Sequence, residues 1–73
     1  MRRYNVIVKG KGLIEDLQTG KRDYLDFSIG SKCMKRLRVG TQIRIFNYDK
    51  DHLFIDKIVT SKKRNKEIVR ITF

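Results

Sequence analysis

Apolar and polar residues alternate along much of this chain, and alternation is the mark of strands with one side buried. In residues 3–9 (RYNVIVK), Tyr4, Val6 and Val8 would share one face, and Asn5, Ile7 and Lys9 the other. Gly10 and Gly12 follow, suggesting a bulge or sharp bend. Residues 12–17 (GLIEDL) read as a weaker second strand, and Gln18, Thr19, Gly20 and Lys21 as a turn. In residues 22–29 (RDYLDFSI), a third strand would point Leu25, Phe27 and Ile29 inward and Tyr24, Asp26 and Ser28 outward.

The period then changes. Ser31 is placed to cap a short helix, SKCMKRL, with Cys33, Met34 and Leu37 as its apolar stripe. So short a helix must lean on neighbouring strands. Residues 41–48 (TQIRIFNY) alternate again, with Ile43 and Ile45 inward and Gln42, Arg44, Phe46 and Tyr48 outward. Asp49, Lys50 and Asp51 make a polar turn. The next strand, 52–59, would turn Leu53 and Ile55 inward, with Ile58 or Val59 joining them after a shift. Residues 61–66 (SKKRNK) read as a loop tip. In a last strand, 67–73, Val69, Ile71 and Phe73 share one face and Arg70 takes the other.

Three strands, a short helix, two strands and one extra strand is the order of the OB-fold, a five-stranded Greek-key barrel. Residues 17–60 resemble OB-fold nucleic-acid-binding modules such as single-strand DNA-binding proteins and anticodon-binding domains. The likeness rests on Thr19 and Gly20, on the strand Tyr24, Leu25, Asp26, Phe27, and on Val39 to Ile45 (VGTQIRI) after the helix. Leu53 to Ile58 (LFIDKI) fits as well. The resemblance implies binding and not chemistry. The expected fold is therefore mainly β: one OB-like domain over residues 1–73, a five- to six-stranded antiparallel barrel with one short helix. An SH3-like barrel is the structural alternative.

The chain has 73 residues, enough for one thin core. Its one cysteine allows no internal disulfide, and Cys33 and His52 lack zinc-ligand spacing, so neither metal nor cofactor is expected. No apolar run approaches the ~18 residues a membrane helix needs. A basic start, Met1, Arg2 and Arg3, leads into a stretch too short and too polar for a signal peptide. With the lone thiol, this points to a reducing, cytoplasmic setting.

Charge sharpens the picture most. Eighteen Lys and Arg against eight Asp and Glu give +10. Such an excess repels itself in a compact state, and a polyanion is the usual counterpart. Lys32, Lys35, Arg36 and Arg38 form one cluster, and Lys62, Lys63, Arg64 and Lys66 another; no acid interrupts either. Cations grouped in this way suit phosphates, whose neutralisation releases counterions. Single strands are also held by stacking bases on aromatic faces. Tyr24 and Tyr48 lie on outward phases for this, and Arg44 shares a phase with Phe46 and Tyr48. An outward Phe46 needs a cover, either the final strand or a second subunit. Phe27 and Phe73 read as core.

Catalytic patterns are weak. Glu15/Asp16, Asp23/Asp26 and Asp49/Asp51 are the close carboxylate pairs, but Asp23 and Asp26 differ in strand phase and the last pair sits in a turn. Cys33 falls on the apolar stripe, where a buried structural thiol is the default, so a Cys33–His52 nucleophile pair is not expected. Gly10, Lys11 and Gly12 lack the context of a phosphate loop. The expected function is binding of single-stranded DNA or RNA with low sequence specificity, and no enzyme activity. The alternative is a small phage- or plasmid-type regulator docking on an acidic surface of a partner protein. An unpaired terminal strand adds the expectation of a homodimer.

Overall fold

The alternation of residues 3–9 becomes strand β1, Arg3–Val8, in a computed structural model that describes residues 3–50 and 52–73, with Arg3, Cys33 and Met34 described by backbone alone. Val6 is buried and Ile7 faces outward, as the phase requires. The next segment departs from expectation. Residues 12–17 are not a strand; they open helix α1, Leu13–Thr19. Leu13 and Ile14 are adjacent, so a strand would point one of them to water. A helix instead gathers Leu13, Ile14 and Leu17 on one face, and Ile14 and Leu17 become fully buried. Gly12 and Gly20 bound the helix with φ of 74° and 81°, a left-handed conformation that glycine adopts without steric cost.

Strands β2 (Tyr24–Ser28), β3 (Gln42–Asn47), β4 (Phe54–Ile58) and β6 (Ile68–Thr72) follow the expected phases. Leu25, Ile43, Ile45, Val69 and Ile71 are buried. Val59 goes in beyond β4 without a shift, while Ile29 stays 37% exposed instead of inward. The expected helix is a shorter 3₁₀ turn, Lys32–Arg36, and Ser31 makes no side-chain cap bond. Leu37 anchors it in the core; the rest of its stripe, Cys33 and Met34, lies outside the described side chains, as Asp51 lies outside the described residues. The turn after β3 is closed by Asn47, whose Oδ1 accepts from the amides of Asp49 and Lys50. Residues 61–66 are not a loop tip. Ser61–Asn65 form β5, antiparallel to β6, and Lys66 turns the hairpin at φ 57°.

The strands form two three-stranded sheets, ordered β1-β3-β4 and β2-β6-β5. This corrects the closed antiparallel barrel: the sheets do not join into one ladder, and β1 runs parallel to β3. The cause is α1, which stands where a pairing strand was expected and carries the chain across to the second sheet. The inner faces of both sheets, with Ile14, Leu17 and Leu37, form one hydrophobic cluster. Each fully buried Leu or Ile there contributes about 1.5–3 kcal/mol by leaving water. The long arm of β4 and β5 changes sheets between two consecutive residues. Val59 N–H donates to Thr41 O in the first sheet, and Thr60 N–H donates to Thr72 O in the second.

Candidate nucleic-acid interface

Part of each basic cluster, far apart in sequence, meets in space: Lys32 and Lys35 from the first and Lys62 from the second. An open depression of about 600 Å³ is lined by Ile29, Gly30, Ser31, Lys32, Lys35 and Lys62. Its geometry follows from the fold. Ile29 N–H donates to Glu67 O, prolonging β2 beside β6, and Ser31 N–H donates to Ser28 O as the chain turns into the 3₁₀ segment. Beyond β6 lies β5, an edge strand whose residues after Ser61 are all exposed. Lys62 pairs with Ile71 and Arg64 with Val69, both buried, so these two cations share the inward phase at the rim of the sheet.

Lys63 takes the opposite phase. With Lys66, Arg70, Asp26, Asn65, Glu67 and Ile68 it lines a second depression on the outer face of the β2-β6-β5 sheet, where Asp26 and Glu67 offset part of the positive charge. The other members of the clusters point elsewhere. Arg64 Nε donates to Lys66 O and braces the hairpin. The Arg36 guanidinium lies 6.0 Å from the Tyr4 ring. Arg38 is exposed, and its carbonyl accepts from Thr41 N–H.

Tyr24 is on the outer face, as its phase requires, and half-buried. Arg70 lies 4.0 Å and Arg22 4.6 Å from its ring centroid. Arg22 Nε also donates to the Tyr24 carbonyl at 3.0 Å. Neither arginine stood out in the sequence; the strand register, which sets Arg70 opposite Asp26, is what brings it to Tyr24. Arg70 donates twice to Asp26, at 2.9 and 3.2 Å. Those hydrogen bonds hold the Asp26 carboxyl below its usual range, with a smaller opposing push from desolvation.

Tyr48 and Arg44 belong to the other sheet. Tyr48 is 59% exposed, with Lys9 Nζ 4.4 Å from its ring centroid. Arg44 is bound in a bidentate pair to Asp56, at 2.7 and 2.9 Å, and its guanidinium lies 4.1 Å from the Phe54 centroid. The expected site residues therefore divide: Lys32, Lys35 and Lys62 converge, Tyr24, Lys63 and Lys66 lie on the same sheet, and Arg44 and Tyr48 face away with the first sheet. Among the described residues no three of His, Cys, Asp and Glu gather as metal ligands would, and no helix is long and apolar enough to cross a membrane. No protein-family model and no curated protein matches the chain.

Proposed function

We propose that this chain binds single-stranded nucleic acid, DNA or RNA, with low sequence specificity and without catalysing a reaction on it. The observation that carries this reading is the meeting of Lys32 and Lys35 with Lys62 around one depression at the edge of the β2-β6-β5 sheet. Three lysines lining one open hollow suit successive phosphates, which bind through charge and counterion release instead of base identity. Lys63 and Lys66 add cations on the outer face of the same hairpin, beside Asp26 and Glu67. Tyr24, with its two guanidiniums, gives bases a surface on which to stack on the outer face of that sheet.

The OB-fold likeness over residues 17–60 adds the expectation that bases lie across strands and not in a groove between helices. The phosphate reading does not need barrel closure. β5 is also an edge strand, and lysines on an edge discourage pairing with other chains; that role is compatible with phosphate contact and does not require the 3₁₀ lysines to face the same hollow.

The test is a binding titration with single-stranded DNA, duplex DNA and single-stranded RNA at several salt concentrations. Affinity for the single strands should exceed that for duplex and should fall steeply between about 50 and 200 mM salt. A flat salt response, or retention by an acidic protein alone, overturns the phosphate mechanism.

A further inference from the structure

The outer face of the β1-β3-β4 sheet is unlike the rest of the surface. Alternation places Ile7, Phe46, Phe54 and Ile58 on it, and the register sets Ile7 beside Phe46 and Phe46 beside Phe54. Ile7 is 66% exposed, Ile58 50% and Phe54 39%. The two phenyl rings lie 5.7 Å apart. Tyr48 continues the same phase one residue beyond β3, held there by its N–H donating to Val8 O. Of the two covers expected for Phe46, the last strand is not one, because β6 belongs to the other sheet. Charge is sparse among the described side chains of this face: Arg44 is engaged by Asp56 and Lys9 remains, while Arg3, at the start of β1, pairs with outward Gln42 and shares the phase.

We infer that this face is where two copies of the chain pair, sheet against sheet about a two-fold axis. A nucleic-acid strand would find no row of cations here, and an acidic protein surface is better matched by the lysine-lined hollow. A second copy needs no complementary charge, only the same apolar patch, and a two-fold contact supplies that by symmetry. Two chains of +10 repel, so they meet most easily on the face where cations are fewest and Arg44 is already paired. This arrangement also turns both cationic edges outward. The exposed parts of Ile7, Tyr48, Phe54 and Ile58 amount to roughly 400–500 Å² per copy, so a pair buries at most about 1,000 Å², in the range of weak, transient contacts. The dimer is accordingly weak and concentration-dependent. The inference stands independently of the nucleic-acid reading.

Sedimentation equilibrium on the full chain, without nucleic acid, tests it. The apparent mass should rise from the one-chain value of 8.7 kDa toward twice that with protein concentration. Association should tighten as salt rises, because screening relieves repulsion between the copies; phosphate binding must change in the opposite direction. Ile58→Glu and Ile7→Glu sit on exposed positions, and circular dichroism should show an unchanged fold. Each should weaken association at least tenfold, whereas Lys35→Gln should not. A parent chain that stays at 8.7 kDa at high protein and salt overturns the inference and leaves the face to a different partner. So does an association that survives both glutamate substitutions.

Discussion

The two sheets carry the same device and use it in opposite surroundings. In each, an arginine on the central strand makes a bidentate pair with an aspartate directly across on an edge strand: Arg44 with Asp56, and Arg70 with Asp26. In each, the guanidinium lies over an aromatic ring two residues before that aspartate, Phe54 at 4.1 Å and Tyr24 at 4.0 Å. On the first sheet the neighbours are Ile7, Phe46 and Ile58, and the face is apolar. On the second they are Arg22 and Lys63, with the lysine-lined hollow at the edge, and the face is cationic. The pairs themselves are exposed, and exposed ion pairs contribute little to stability. What the comparison teaches is that the surroundings of such a pair, not the pair, decide what a sheet face can bind.

The comparison breaks most severely if the sheets are separate units. Ile45 belongs to one inner face and Ile71 to the other, and both are fully buried. Ile45→Ala and Ile71→Ala should each cost about 2–5 kcal/mol, and each should shift one common urea transition. Two transitions, each sensitive to one variant, would show that the core is not shared.

A charge test sharpens the contrast next. Replacing Lys32, Lys35 and Lys62 together with glutamine should weaken single-strand binding at least about tenfold and reduce the slope of log K against log salt by about 2. Arg44→Gln, on the apolar face, should leave both nearly unchanged. Equal losses from the two faces would erase the distinction.

The aromatic partners of the arginines give a smaller effect. Tyr24→Leu should cost about 1 kcal/mol in single-strand affinity, at the low end for base stacking because two guanidiniums already occupy the ring's surroundings. Phe54→Leu should cost nothing in that assay.

The smallest effect is in pH. Because Arg70 depresses the Asp26 carboxyl in the folded state, the pair stabilises the fold above the unfolded aspartate range and its contribution is lost as pH falls through the lower folded value. A carboxyl ¹³C titration should place the Asp26 midpoint below 3.8, and Arg70→Gln should return it toward that value. An unshifted midpoint in the parent chain means the pair does not persist in solution.

The inner faces of β1, β2, β3 and β6 were legible because period-two alternation survives wherever one side of a strand is buried. α1 was not, since GLIEDL is too short for its helical spacing to outweigh a run of strands on either side. β5 hid for a different reason: Ser61–Asn65 has no apolar residue, so its strand character comes only from the ladder it shares with β6. The basic clusters could be read as clusters, but not that Lys32 and Lys35 would face Lys62. Tyr24 stood out by phase, while Arg70, its companion, is fixed by a pairing with Asp26 across 44 positions of sequence. Local pattern carries no information about such a register.

The crossing at Val59 and Thr60 has a mechanical consequence. Successive amides are anchored to different sheets, and the Cα atoms they separate are only about 3.8 Å apart. A link that short keeps the sheets adjacent at this seam, and the hydrophobic cluster they share holds them face to face. The outer faces of the two sheets are therefore backed by one core, and a substitution that loosens it reaches both.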